Sequence, residues 1–186
     1  MTIDLVNIAD DLAALALRSV LEYWGCTVRL QHIPTAKRLV EVLGGATSLS
    51  ECVVLMCHGV EEGLVLPELG ADIAAQQPYQ SAITPEDFRE FLRVPDALVI
   101  NTGCLMGRPE FAKAFLEAGC HSYIGPTDYP EGSASLFYVT HFFYEWHVKK
   151  NGIASAHDMA IAHDVETGMH RLYQAKQHGE DLHELV

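Results

Sequence analysis

Short apolar runs alternate with amphipathic stretches along most of the chain. Ile3–Ile8 is mostly apolar, which predicts a strand. Asp10–Trp24 repeats its apolar positions with helical spacing, carries Asp10 and Asp11 at its start and meets Gly25 after its last turn. Thr27–Ile33 alternates and is rich in β-branched residues, a second strand, and Ala36–Leu43 is a helix that stops at Gly44-Gly45. Val53–Cys57 and Ala97–Thr102 are continuous apolar runs, the signature of strands buried on both faces. Between them lie a short extended arm, Gly63–Leu66, and a helix, Thr84–Leu92, with Thr84 as N-cap, Pro85 at the first helical position and Asp87 three residues on. Pro109–Ala118 predicts a helix closed by Gly119, His121–Gly125 a short strand, and Ser133–Lys149 and Ala154–Gln177 two long helices.

Strands alternating with helices imply a parallel sheet covered on both sides. The expected fold is therefore α/β, a three-layer α-β-α arrangement with a mainly parallel five- or six-stranded sheet in a single domain over residues 1–186. No further strand is evident after Gly125. Right-handed crossovers make the strands Val53–Cys57 and Ala97–Thr102 neighbours. The irregular stretch Glu61–Ser81 follows the first of these and could wall a site.

Charge narrows the partners. Lys and Arg number 12 against 25 Asp and Glu, a net charge of −13, which argues against nucleic acid or an anionic membrane. The N-terminus, MTIDLVNIADD, has no basic segment before its apolar run, and no apolar stretch reaches the roughly 18 residues of a membrane span. Five cysteines without a Cys-x-x-Cys pair suggest reduced thiols and a cytoplasmic setting.

Two of the apolar runs end alike. CVVLMCHG finishes on His58-Gly59, and ALVINTGC finishes on Gly103-Cys104. In a parallel sheet ligands bind beyond the carboxyl ends of the strands, so His58 and Cys104 both belong at such an edge. A free thiol is mostly protonated at neutral pH; a neighbouring imidazole can take its proton and make it a nucleophile. Gly59 and Gly103 would leave room for a substrate backbone, and the amides of Gly59 and Cys104 could hold an oxyanion. A cysteine at a strand end is more often plain core, and Cys26, Cys52, Cys57 and Cys120 are read that way.

The His-Gly and Gly-Cys pairs, histidine first, resemble the caspase-like cysteine peptidases, the group that includes caspases, gingipains, clostripain, separase and CHAT domains. Caspases place their histidine roughly 50 residues before the cysteine; here the gap is 46. VPDALVINTGCLMG resembles the strand leading to the nucleophile. FAKAFLEAGCHSYIGP resembles the next helix and strand of CHAT- and gingipain-like sequences, and FYEWHVKKNGIASAHDMA their later helices. The similarity runs from about Val53 to Ala160, although Thr-Gly-Cys-Leu-Met-Gly stands where caspases have Gln-Ala-Cys-x-Gly. It implies a caspase-like fold, His58 as base, Cys104 as nucleophile, Gly59 as an oxyanion amide, a thioester intermediate, a protein or peptide substrate and no cofactor. The region after the fifth strand, GPTDYPEG, then falls near the pocket for the residue before the scissile bond. Asp128 there would favour cleavage after Arg or Lys, although Asp before Tyr-Pro is also ordinary turn chemistry. The alternative is a non-catalytic module of the same fold that binds a protein partner.

Other chemistries fit less well. A phosphatase loop needs an arginine six residues after its cysteine, and Arg108 stands at plus four. Amidotransferase-like folds put the histidine after the cysteine. NIADDLAAL is acidic where a nucleotide's phosphates would sit, and Cys57, His58, Cys104 and His121 lack zinc spacing. His163, Glu166 and His170 stand at i, i+3 and i+7 of the last helix and share one face, a face more often solvated than metal-bound. The aromatic stripe THFFYEWHV reads as helix packing.

Overall fold

The computed structural model describes residues 1–175 and 183–185. Its elements run β1 (Thr2–Asn7), α1 (Asp11–Tyr23), β2 (Thr27–His32), α2 (Ala36–Leu43), β3 (Cys52–Met56), β4 (Gly59–Val60), β5 (Gly63–Val65), α3 (Ala71–Ala74), β6 (Ala82–Ile83), α4 (Pro85–Phe91), β7 (Leu98–Asn101), α5 (Pro109–Glu117), β8 (Ser122–Pro126), α6 (Gly132–Phe143), α7 (Ile153–Ile161), β9 (His170–Gln174) and β10 (His183–Leu185). The helix starts follow local chemistry. Thr35 accepts the Arg38 amide, and Thr84 and Asp87 form a reciprocal capping box ahead of Pro85. α6 continues into a π-helical turn, Tyr144–Val148.

The main sheet has the order β10-β9-β8-β7-β3-β1-β2. β2, β1, β3, β7 and β8 pair in parallel; β9 is antiparallel to β8, and β10 antiparallel to β9. Alternate residues of each strand feed opposite cores. Val53, Leu55, Val99 and Tyr123 pack with Leu39, Phe88, Phe111 and Phe115 of α2, α4 and α5. Val54, Ile100, Ile124 and Leu172 pack with Leu17, Tyr138, Phe142 and Ala156 of α1, α6 and α7. This is the expected three-layer arrangement with its mainly parallel sheet. The Gly63–Leu66 arm becomes β5, the centre of a small antiparallel sheet, β4-β5-β6, beside the strand that carries His58.

The C-terminal expectation is overturned. The long helix Ala154–Gln177 does not form: α7 ends at Ile161, and 176–177 lie outside the described residues. Asp164 accounts for the stop. Its carboxylate accepts the Thr167 amide at 2.8 Å and the Thr167 hydroxyl at 2.9 Å, a closed local turn that competes with the helix. The chain then enters β9, whose Leu172 and Tyr173 face opposite cores. A strand therefore follows Gly125, contrary to the sequence reading, and His163, Glu166 and His170 do not share a helix face.

Where α6, α7 and β9 meet, three rings are buried together. The Tyr138 hydroxyl meets His157 Nδ1 at 2.7 Å, and its ring stacks on His170 with centroids 3.9 Å apart. Burial lowers both imidazoles from the ordinary 6.5, His157 to about 4 and His170 to about 3. Between those values the unfolded chain binds protons that the folded chain refuses. The stabilisation is thus full above about pH 6.5 and is lost as pH falls toward 4 and below. The unfolding free energy from urea titrations should drop between about pH 7.5 and pH 5, by on the order of 1–2 kcal/mol per histidine, with a matching fall of the midpoint. His157→Gln, neutral throughout, should lessen that drop; a wild-type midpoint unchanged over the window would contradict it.

Candidate active site

β3 and β7 are adjacent and parallel, with Cys52 opposite Leu98 and Leu55 opposite Asn101. Their carboxyl ends therefore reach the same level, and each is followed by an irregular step before its functional side chain. The strand order reverses one strand over, between β1 and β3: the chain leaves β1 toward β2 on one side, while β3 lies on the other. Ligand crevices of open α/β sheets form at such points. A cleft of about 90 Å³ occupies this one, and its lining includes His58, Cys104, Thr102, Pro130, Ser135 and Asp10.

The glycines have a different use from the one expected. A Cβ on Gly59 would lie 2.0 Å from the carbonyl oxygen of Cys104. A Cβ on Gly103 would lie 2.9 Å from Cys57 Sγ and from Met106 Cγ. The room that these residues provide is thus filled by the facing loop rather than left for a substrate. Gly107 repeats the device against the end of β8, where a Cβ would meet the Gly125 oxygen at 2.0 Å. Loops after β3, β7 and β8 are locked backbone to backbone, which brings the histidine-bearing and cysteine-bearing turns together.

All five cysteines are free thiols, and four are buried; Cys104 is the one with partial exposure. Cys57 points into the core and donates from Sγ to Asn101 Oδ1 at 3.1 Å, in keeping with its reading as a packing residue. Burial pushes the Cys57 and Cys120 thiols up to about 12. The Cys104 thiol is also raised, first by desolvation and then by the negative charge of Asp128, while its own backbone amide opposes the shift. Its Sγ–H donates to the Pro130 carbonyl at 3.8 Å. His58 is exposed, and among the described residues no hydrogen bond joins it to Cys104. The Cys104 thiol and the His58 ring thus line one cleft without a hydrogen bond between them, in surroundings that favour the protonated thiol.

Asp128 is exposed, and its carboxylate accepts the Tyr129 amide at 2.9 Å, as expected of a turn. Its backbone oxygen accepts the Leu105 amide at 3.1 Å, tying it to the residue after Cys104. Asp10 also lines the cleft, a place the sequence reading did not give it. Read as a helix-start charge, it makes no side-chain capping bond, and it lines the cleft half-buried. The available signal was its position directly after β1, on the same carboxyl edge as His58. The aromatic stripe is packed in part: Phe142 and Phe143 are fully buried, Trp146 is half-buried and Tyr144 is exposed.

No family model matches the chain, and no curated protein matches it. Solved structures do. Separase of Saccharomyces cerevisiae, in its complex with securin, superposes with a TM-score of 0.60 at 11% identity, over 93% of this chain and 11% of that one. Gingipain RgpB of Porphyromonas gingivalis, in the complex of its pro- and mature domains, superposes with a TM-score of 0.56 at 13% identity, over 91% of this chain and 44% of that one. The chain thus spans a small part of the first and less than half of the second. The fold is the caspase-like α/β fold.

The glycine contacts give a direct test. Gly59→Ala should destabilise the protein by about 1–3 kcal/mol, because backbone rather than a flexible side chain must move. Gly70→Ala, where the added methyl meets nothing within 4 Å, is the control and should change the denaturation midpoint little. Equal midpoints for the two variants would contradict the interlock.

Proposed function

We propose that the protein is a cysteine peptidase acting through His58 and Cys104. The observation that carries this reading is that the one partly exposed thiol shares a cleft with an exposed imidazole at matched strand ends. As Cys104 Sγ attacks the substrate carbonyl carbon, its proton passes to His58. The oxyanion is held by the amides of Cys104 and Gly59, and His58 returns the proton to the leaving amine. Water, deprotonated by His58, then hydrolyses the thioester and frees the acid and the thiol. Because the resting thiol is protonated, deprotonation accompanies attack. The two structural neighbours are in complexes with securin and with a pro-domain, which supports a protein as a partner of this chain.

The preferred substrate in this reading carries Arg or Lys before the scissile bond. Asp10, half-buried in the cleft lining, and Asp128, whose charge is felt at the Cys104 sulfur, supply carboxylates for a cationic side chain. Desolvation strengthens such a pairing, which favours Asp10 over the exposed Asp128 as the closer partner.

Fluorogenic peptides ending in Arg, Lys, Asp and Asn test the reading. Wild type should cleave the basic pair, Cys104→Ala should lose activity by roughly 10⁴-fold or more, and His58→Ala should lose about 10²–10⁴-fold. Asp10→Asn should narrow the gap between basic and acidic peptides. A non-catalytic binding module predicts no turnover on any of them. The electrostatics give a second prediction. Removing the Asp128 charge should lower the Cys104 pKa, so Asp128→Asn should be alkylated faster by iodoacetamide at about pH 8 than wild type. An unchanged rate would remove Asp128 from the thiol's electrostatics.

A further inference from the structure

Cys104 lies in an irregular loop between β7 and α5, and the residue after it, Leu105, has φ 64°, a left-handed conformation that a leucine adopts only under restraint. Part of the restraint is backbone. The Leu105 amide donates to the Asp128 carbonyl at 3.1 Å and the Gly107 amide to the Pro126 carbonyl at 2.7 Å. The rest comes from the sheet beneath. Asn101 Oδ1 accepts the Gly103 amide at 3.0 Å. The Tyr123 hydroxyl donates to the Met106 carbonyl at 2.6 Å, and the Tyr173 hydroxyl donates to the Gly107 carbonyl at 2.8 Å.

The last two bonds form one device. Tyr123 and Tyr173 stand directly opposite each other on β8 and β9, so their rings leave the same face of the sheet side by side. Their hydroxyls reach consecutive carbonyls of the loop. Phe115 stacks on Tyr123 at 4.6 Å and fixes that ring. Both phenols are buried, Tyr123 fully and Tyr173 at 5% exposure, so water does not compete for either bond.

Resting on the peptidase reading above, we propose that Tyr123 and Tyr173 are positioning residues for Cys104. By holding the Met106 and Gly107 carbonyls they orient the peptide planes of the loop. They thereby set the direction of the Cys104 sulfur and amide toward the cleft. Neither touches substrate. A loop displaced by about 1 Å costs a nucleophile on the order of 10²-fold in rate, so the loss of each hydroxyl is felt in turnover before binding.

The test uses Tyr123→Phe, Tyr173→Phe and the double variant, with Tyr138→Phe as a control for losing a buried hydroxyl in the opposite layer. The expected result is about 10-fold lower kcat in each single variant at unchanged KM, with a larger loss in the double. Amide hydrogen exchange between Gly103 and Arg108 should be faster in these variants and unchanged in the control. Unchanged exchange in the loop overturns the proposal. So does faster exchange with unaltered kcat, which would reduce the tyrosines to packing. If wild type cleaves no peptide, the peptidase reading fails by itself; the positioning is then read from the pH midpoint of Cys104 alkylation, which should move in the double variant, and a fixed midpoint overturns it. Should changes at Tyr123 prevent folding, Tyr173→Phe alone decides.

Discussion

Parallel pairing of β3 and β7 brings two chain ends to the same height, but it is the contact between the turns above them that makes a site. Gly59 lies against the Cys104 carbonyl so closely that a single added carbon would sit at 2.0 Å from its oxygen. Each turn is thus the template for the other. Strand pairing fixes position along the sheet, and the glycine contact fixes separation across it. The end of β8 joins through Gly125 against Gly107, and the loop after it delivers the Pro130 carbonyl that receives the Cys104 thiol.

Much of this was legible in the residues. Buried strands announce themselves as unbroken apolar runs, so the parallel part of the sheet and the alternation of layers could be read directly. Thr84, Pro85 and Asp87 marked a helix start through capping chemistry that acts over a few residues. The two strand-end pairs could be matched because each lies immediately after an apolar run. What failed depended on contacts between distant residues. HRLYQ is too short and too polar to declare itself a strand until β8 offers an edge for it, and the Asp164–Thr167 turn that frees it looks like an ordinary helical stretch. Asp10 read as a helix charge because its place in the cleft depends on β1 lying beside β3, a pairing between segments far apart in sequence. Gly59 and Gly103 were read as room for a substrate, whereas an added Cβ at either would meet the chain itself.

The same division holds for the site. Residue types and order indicated which side chains would share an edge. Protonation state depended on surroundings that no local pattern encodes, namely the burial around Cys104 and the carboxylate of Asp128. The support beneath the loop comes from β9, the strand the pattern did not disclose, through Tyr173.

The Pro130 hydrogen bond has a chemical corollary. Peroxides and other small electrophiles attack sulfur as the anion, and oxidation to sulfenic acid follows thiolate character. A sulfur that keeps its proton against a backbone carbonyl, in surroundings that disfavour charge, presents little of that anion. The partly exposed Cys104 should therefore be slow to oxidise at rest.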